Sequence, residues 1–189
     1  MIVFFMKKFF KFKFIIFIIG IFFGFNSIAH QGGLNTEGCH TNKKNGDYHC
    51  HKKDIEIRKD GFRVIDGDTV HFDFDNRKVR FNGIDAPEIG QICINAEGPF
   101  DCGLKAKEIL INFIGSELPI CISEGLDNFS REISECFVNG ESISKFLVRN
   151  GYAFAYRKYS KKFIEDEDYA RQNNLGLWKT KFEFPWDYR

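Results

Sequence analysis

The sequence predicts a β-rich protein of the α+β class, and three observations carry this prediction. Five segments are rich in β-branched and aromatic residues and are separated by turn-forming residues: 62–65, 70–74, 79–84, 118–123 and 133–139. A helical stripe of apolar residues runs from Leu104 to Phe113, between the third and fourth of these segments. Two further helical patterns follow, at residues 143–151 and 161–174. Five strands and about three helices in this order predict a five-stranded barrel, an arrangement compatible with an OB-fold.

The length and composition narrow the class of protein. The 189 residues allow one domain with short appendages. Charged residues at 28% and hydrophobic residues at 43% argue against a disordered chain and against a multi-pass membrane protein. The first 29 residues contain four lysines and no acid, so the chain without them carries a net charge of −3 instead of +1. This balance excludes a protein that holds nucleic acid through bulk positive charge.

Residues 1–29 have the parts of a secretory signal peptide. A lysine-rich region precedes an apolar run of 12 residues, 14–25, and a small-x-small pattern at residues 27–29. A membrane span needs about 20 apolar residues, so this run is short for one. We expect cleavage before His30, export to the periplasm or the extracellular space, and only transient membrane contact. An uncleaved membrane anchor is the alternative.

The six cysteines fall in sequence as three neighbouring pairs: Cys39 and Cys50, Cys93 and Cys102, and Cys121 and Cys136. An even number of cysteines in an exported protein indicates disulfides before redox chemistry. Pairing each cysteine with its neighbour closes three short loops and is the simplest connectivity. We therefore predict the disulfides Cys39–Cys50, Cys93–Cys102 and Cys121–Cys136.

The segment 30–53 is polar and contains four of the five histidines of the chain. Two thiolates and three imidazoles lie close together in it, and they could offer zinc a ligand set: Cys39, His40, His49, Cys50 and His51. We favour the disulfide over the zinc site, and an assay for bound zinc and free thiols would separate the two. The globular pattern begins after this segment, so we divide the chain into a signal peptide (1–29), a Cys/His-rich segment (30–53) and one domain (54–189).

Three polar pieces of the globular part could carry chemistry. Residues 66–69 read Asp-Gly-Asp-Thr, which alone is typical of a solvated turn. Arg80 then leads into Asp85-Ala86-Pro87-Glu88, where Pro87 keeps Ala86 extended and two carboxylates could bind a hard cation. The third piece, residues 127–131, reads Asp-Asn-Phe-Ser-Arg and alone is typical of a surface loop.

Taken together and in this order, the three pieces resemble the motifs of the staphylococcal thermonuclease family. That family has an Asp-Gly-Asp-Thr turn, an Arg-x4-Asp-x-Pro-Glu segment and a later Asp-x-Tyr-Gly-Arg. The resemblance extends from about residue 55 to the end of the chain and includes residues 146–151 and 176–178. It implies an OB-fold barrel and the calcium-dependent hydrolysis of phosphodiester bonds in DNA and RNA.

The resemblance also implies a role for each matching residue. Asp68 and Asp85 match carboxylates that bind Ca²⁺, and Ala86 matches the position that adds a backbone carbonyl. Arg80 and Arg131 match two arginines that bind the phosphate, and Glu88 matches a glutamate that activates water, so these three form the catalytic set: Arg80, Glu88 and Arg131. A cation and two guanidinium groups suit this chemistry because negative charge develops on the phosphate oxygens.

The chain departs from the family at several positions. Ala86 stands where Thr is frequent, but a carbonyl ligand needs no side chain. Phe129 and Ser130 replace Tyr-Gly before Arg131, and serine adopts a positive φ less easily than glycine does. Phe129 keeps a face on which a base could stack. Tyr156 and Tyr159 lie where the family has tyrosines that contact substrate, and packing in the barrel is an equal alternative.

We therefore predict an exported nuclease that acts as a monomer on DNA, RNA or both. Two other functions stay open. One is an OB-fold module that binds nucleic acid without cleaving it, although the retention of all five acids and arginines argues against this. The other is an envelope metal-binding protein that acts through the segment 30–53. Nuclease assays with and without a chelator, and deletion of residues 30–53, would discriminate among the three.

Overall fold

The computed structural model describes residues 39–42, 46–50 and 61–189, and the structural statements below concern these residues. The chain divides into two units, Met1–His30 and Gln31–Arg189, and the described residues lie in the second. The predicted signal peptide lies outside the described residues, as do His51 and the side chains of Cys39, His40, His49 and Cys50. Within the described part of the chain, no helix is long and apolar enough to cross a bilayer.

The described elements comprise twelve strands, four α-helices and one 3₁₀ turn. In chain order they are β1 (Cys39–Thr41), β2 (Tyr48–Cys50), β3 (Phe62–Val64), β4 (Thr69–Phe72), β5 (Arg77–Phe81), β6 (Ile84–Asp85), β7 (Ile92–Asn95), β8 (Gly98–Asp101), α1 (Cys102–Ile114), β9 (Ile120–Leu126), β10 (Glu132–Val138), β11 (Glu141–Ser142), α2 (Ile143–Arg149), β12 (Phe154–Ala155), α3 (Ile164–Gln172), the 3₁₀ turn (Gly176–Lys179) and α4 (Pro185–Tyr188).

The main sheet has six strands in the order β11-β10-β5-β4-β3, with β9 also paired to β10. It curls into a half-barrel, as expected for an OB-fold, and the helices complete a β-rich α+β fold. The prediction of the fold class is therefore confirmed, and the five predicted strands correspond to β3, β4, β5, β9 and β10. In β5, Arg80 pairs with Thr69 of β4 on one side and with Ile133 of β10 on the other.

The core lies between the sheet and α1 and α2. Strands β3, β4 and β5 bury alternate apolar side chains, as expected for strands with one covered face. Asp101 caps α1 by accepting a hydrogen bond from the backbone N–H of Leu104, and Gly115 ends the helix with a φ of 55°. The largest fully buried apolar side chains are Phe72, Phe81, Phe154, Ile84, Leu110, Ile143, Leu147 and Leu177. This packing fixes β4 and β5, the strands that carry the predicted site.

The shortest elements of the fold were not predicted from the sequence. Strands β6, β11 and β12 have two residues each, too few for an alternating pattern to be visible. The hairpins β1–β2 and β7–β8 and the one-turn helix α4 were not predicted either. The last long helix is α3, and it covers residues 164–172 instead of the predicted 161–174.

Two of the three predicted disulfides are described. Cys93 is bonded to Cys102, which joins β7 to the start of α1, and Cys121 is bonded to Cys136 across the β9–β10 pair. The backbones of Cys39 and Cys50 are direct partners in the hairpin β1–β2. The choice between a disulfide and a zinc site there concerns side chains outside the described residues.

Candidate active site

Asp68 is a buried carboxylate in the turn immediately before β4, with a relative exposure of 2%. Its Oδ1 accepts a hydrogen bond of 3.0 Å from the Thr69 hydroxyl, and its Oδ2 accepts one of 2.8 Å from the backbone N–H of Ala86. The backbone N–H of Asp68 donates to the Asp66 carboxylate at 3.0 Å. The turn is therefore not solvated, because its second carboxylate points into the protein.

The close approach of residues 66–69 to the neighbouring chain requires a glycine in the turn. A Cβ on Gly67 would lie 2.7 Å from the Cβ of Ala86 and 2.9 Å from the Cβ of Ala106. Contacts this short are not tolerated in a packed interior. Gly67 therefore allows the turn to pack against Ala86, which brings the first two polar pieces of the sequence together.

Arg80 joins the two predicted cation ligands. Its Nη1 donates to Asp68 Oδ1 at 2.5 Å and its Nη2 donates to Asp85 Oδ1 at 2.5 Å. The Arg80 side chain is 14% exposed and the Asp85 side chain is fully buried. The pleat of β5 explains this placement, because Arg80 lies between the buried residues Val79 and Phe81 and its side chain leaves the strand on the opposite face.

Glu88 lies at the edge of the same cluster. Gly103, in the first turn of α1, permits this position, because a Cβ there would lie 2.0 Å from the backbone oxygen of Glu88. The backbone N–H of Glu88 donates to the side-chain oxygen of Gln91 at 3.1 Å. The Glu88 carboxylate is half-buried and accepts a hydrogen bond of 2.7 Å from Nη1 of Arg189.

Burial and like charges shift the pKa values of this cluster. Burial, followed by the Asp68 carboxylate, raises the pKa of Asp66 to about 7. The same two causes raise the pKa of Asp85, although Arg80 and Arg189 oppose them. Burial lowers the pKa of Arg80, but the carboxylates of Asp68 and Asp85 outweigh it and raise this pKa above its usual value. Arg80 is therefore a permanent cation within a site of excess negative charge.

Arg131 occupies a separate loop before β10. Its Nε donates to Asp127 Oδ2 at 2.7 Å, and its backbone N–H donates to Asp127 Oδ1 at 2.9 Å. Ser130 has a φ of 60°. The loop therefore keeps a positive φ at the position where the family has glycine. Strand β10 runs parallel to β5 and pairs Ile133 with Arg80, which sets Arg131 near the strand that carries Arg80. No described hydrogen bond or ion pair joins Arg131 to Asp68, Asp85 or Glu88.

The predicted substrate-binding aromatics have different environments. Phe129 is 80% exposed, with the Arg131 guanidinium carbon 5.5 Å from the centre of its ring. Tyr156 stacks on Trp186, with ring centres 5.5 Å apart and planes 11° apart, so its ring is engaged in packing. Tyr159 is 69% exposed and meets Tyr156 edge to face. Phe129 and Tyr159 are thus largely exposed rings, each with a cationic group over it, Arg131 and Lys158 respectively, whereas Tyr156 shows the packing alternative.

Two residues of this site, Arg189 and Gln91, were not predicted from the sequence. Arg189 is 109 residues after Arg80 and belongs to no motif, so only the tertiary structure brings it to Asp85 and Glu88. Gln91 is fully buried, and its amide nitrogen donates to the backbone oxygen of Glu183 at 2.7 Å. The only sequence feature that pointed to Gln91 was its position three residues after the predicted catalytic Glu88.

The oxygen ligands fit a hard divalent cation. Two buried carboxylates, Asp68 and Asp85, lie on either side of Arg80, and Ala86 is buried beside them. Carboxylate and carbonyl oxygens suit Ca²⁺ or Mg²⁺ better than Zn²⁺. Among the described residues, no group of three or more His, Cys, Asp or Glu side chains is arranged to hold a metal ion.

Comparison with known proteins places the chain in a family. The family model described as staphylococcal nuclease homologue matches residues 78–180, more than half of the chain. The chain belongs to the staphylococcal nuclease homologue family. The match includes Arg80, Asp85, Glu88 and Arg131, whereas Asp68 precedes its first residue. The expected membership of this family is therefore confirmed.

Several curated relatives have similar sequences. Endonuclease YncB of Bacillus subtilis (strain 168) is 29% identical over 150 residues, which cover 73% of this chain and 69% of YncB. Micrococcal nuclease of Shigella flexneri is 27% identical over 150 residues, which cover 71% of this chain and 81% of that protein. Succinoglycan biosynthesis protein ExoI of Rhizobium meliloti (strain 1021) is 29% identical over 124 residues, which cover 64% of each chain. The chain spans 21% to 38% of the length of three further relatives.

Proposed function

We propose that this protein is an exported, cation-dependent nuclease that hydrolyses phosphodiester bonds of DNA and RNA, with Ca²⁺ as the cation. The observation that carries the proposal is the position of Arg80 between Asp68 and Asp85, with Glu88 at the edge of the same cluster. Membership of the family and the nuclease names of two relatives support it. The leader sequence supports export.

The chemistry assigns one role to each residue. Asp68, Asp85 and the carbonyl of Ala86 would hold the cation, which supplies Lewis-acid stabilisation of the phosphate oxygens. Glu88 accepts a proton from the water whose oxygen attacks the phosphorus. The bond between the phosphorus and the leaving oxygen then breaks, and the leaving oxygen takes up a proton from solvent water. Arg80 donates hydrogen bonds to the phosphate oxygens as their negative charge increases.

Arg131 needs a change of partner for its proposed role. Its guanidinium now contacts Asp127, and it must turn toward the phosphate to donate a second pair of hydrogen bonds. Two observations support this: the Arg131 side chain is 26% exposed, and its loop precedes the strand beside Arg80. Phe129 and Tyr159 would stack on bases near the cleaved bond, because both rings are exposed.

A nuclease assay tests the proposal directly. The protein is incubated with single-stranded DNA, double-stranded DNA and RNA, in Ca²⁺ and after chelation, and the products are measured with time. We expect cleavage that requires Ca²⁺. Binding of these nucleic acids without any cleavage would support the binding module instead and would overturn the proposal.

Glu88→Gln gives the sharpest test of the mechanism. We expect turnover to fall by about 10²- to 10⁴-fold, because the amide cannot accept the proton, while near-UV circular dichroism stays unchanged. Glu165→Gln is the matched control, since Glu165 is an exposed residue in the first turn of α3. Equal turnover in the two variants would remove Glu88 from the mechanism.

A further inference from the structure

Arg189 gives the acidic site a second internal cation. Its Nη2 donates to Asp85 Oδ2 at 2.5 Å, and its Nη1 donates to Glu88 Oε1 at 2.7 Å. The cluster therefore alternates in charge along the series Asp68, Arg80, Asp85, Arg189 and Glu88. The proposed function uses Arg80 for the phosphate, but it gives no role to Arg189.

The segment that carries Arg189 is anchored beside the site. Lys181 exchanges backbone hydrogen bonds of 2.8 and 2.9 Å with Ile94. The buried side chain of Gln91 links Glu88 to this segment, because its oxygen accepts from the N–H of Glu88 and its nitrogen donates to the oxygen of Glu183. The ring of Trp186 in α4 stacks on Tyr156. These contacts hold the Arg189 side chain within reach of the acids even when its guanidinium leaves them.

Hydrogen-bond donors occupy every carboxylate oxygen of the proposed cation ligands. Oδ1 of Asp85 accepts a hydrogen bond from Arg80, and Oδ2 of Asp85 accepts one from Arg189. Asp68 gives Oδ1 to Arg80 and Thr69, and Oδ2 to the N–H of Ala86. Each oxygen of Asp85 carries one guanidinium donor, so a divalent cation that binds Asp85 adds positive charge beside an arginine, and this repulsion favours the departure of one of the two arginines.

Arg189 is the arginine that can leave at lower cost. Its side chain is 38% exposed, against 14% for Arg80, so solvent can replace its lost hydrogen bonds more fully. Arg80 also lies in the middle of the sheet, between β4 and β10, whereas Arg189 follows the one-turn helix α4. Its release requires no change in the core.

We infer that Arg189 is a tethered competitor of the divalent cation: it neutralises Asp85 and Glu88 in the cation-free protein and leaves them when the cation binds. This inference rests on the cation site of the proposed function. The Ca²⁺ concentration at which the site fills then depends on how strongly Arg189 binds Asp85 and Glu88. Departure of Arg189 also frees the carboxylate of Glu88 to accept a proton.

The test is the direct titration of Ca²⁺ into the protein without nucleic acid, by isothermal titration calorimetry at constant ionic strength. We expect Arg189→Gln to bind Ca²⁺ about fivefold to tenfold more tightly than the unaltered protein, because a charge-assisted contact no longer competes. Arg189→Lys keeps the charge but cannot donate to both carboxylates from one planar group, so we expect an affinity between the two. A structural role for Arg189 would instead weaken binding of Ca²⁺.

Two controls localise the effect. Arg171→Gln removes a guanidinium from an exposed pair with Asp168 in α3, and we expect it to leave the Ca²⁺ affinity unchanged. Asp85→Asn should abolish the binding heat, with near-UV circular dichroism to verify its fold. Equal Ca²⁺ affinity in Arg189→Gln and the unaltered protein would overturn the inference and leave the proposed function intact. Absence of Ca²⁺ binding to both would overturn the cation site of the proposed function as well.

Discussion

Two arginines assigned to the same phosphate occupy very different surroundings. Arg80 lies in the central strand β5, is 14% exposed, and donates both to Asp68, 12 residues before it, and to Asp85, five residues after it. Arg131 lies in a loop, is 26% exposed, and donates to Asp127, four residues before it. The contact between Arg80 and Asp68 exists only after β4 and β5 have paired, whereas the contacts of Arg131 lie within one loop. We conclude that the packing of the strands positions Arg80, whereas Arg131 is held by contacts within its own loop.

The different surroundings of Arg80 and Arg131 also predict different effects on stability and on turnover. Removing a partner from buried charges is costly, because the remaining charges lose compensation in a medium where water cannot reach them. Removing one partner of a half-exposed local pair costs little, because solvent replaces it. Arg80 should therefore affect both folding and turnover, and Arg131 should affect turnover almost alone.

Replacement of Arg80 should have the largest effect. We expect Arg80→Gln to lower the free energy of unfolding by about 3–5 kcal/mol, because Asp68 and Asp85 stay buried without this counter-ion. Turnover should fall by about 10²- to 10³-fold or more through loss of the phosphate contact. Urea unfolding at pH 7 and nuclease assays measure the two effects, with Arg171→Gln as the control. A stability equal to that of the control would contradict the buried clamp.

Replacement of Arg131 should sharpen the contrast. We expect Arg131→Lys to change the free energy of unfolding by less than about 1 kcal/mol, since the pair with Asp127 is local and partly exposed. Turnover should still fall by about 10-fold to 100-fold, because an ammonium cannot donate two parallel hydrogen bonds to the phosphate. Turnover is measured at saturating substrate and cation. If Arg131→Lys turns over as fast as the unaltered protein, only Arg80 of the two arginines binds the phosphate.

The smallest expected effect concerns the loop that holds Arg131. Ser130 has a φ of 60°, a conformation that costs an L-residue about 1–2 kcal/mol and costs glycine little. We expect Ser130→Gly to raise the free energy of unfolding by up to about 1 kcal/mol, since the greater freedom of the unfolded chain offsets part of the gain.

Asn139→Gly is the matched control for Ser130. Asn139 also has a positive φ, of 52°, but asparagine tolerates this region better than serine does. Its replacement should therefore stabilise the protein less. An equal or larger gain at Asn139, by urea unfolding, would show that Ser130 is not strained.

Much of the fold could be predicted because its signals are local. Segments with β-branched and aromatic residues became β3, β4, β5, β9 and β10, and the apolar stripe between Gly103 and Gly115 became α1. Strands of two residues have no detectable period, so β6 and β12 could not be predicted. Strand β9 shows the limit of the pattern, because Ile120 and Ile122 are exposed although they read as core residues.

The candidate site divides in the same way. Asp68, Arg80, Asp85 and Glu88 lie in two motifs whose spacing could be recognised, and the structure brings these four together. The hydrogen-bond partners of the site residues could not be predicted from the sequence. Asp127 retains Arg131, and Tyr156 packs on Trp186 instead of presenting a free face.

The sequence by itself determined which side chains can do the chemistry and which segments become strands, because residue type and short-range periodicity are written in the chain. Only the tertiary structure decided that Arg80 lies between two carboxylates and that Arg189 reaches Asp85 and Glu88 from the far end of the domain. The physical reason is that these contacts depend on how the strands curl and on where buried charges find partners. Both follow from the packing of the whole domain, which no local pattern of residues encodes.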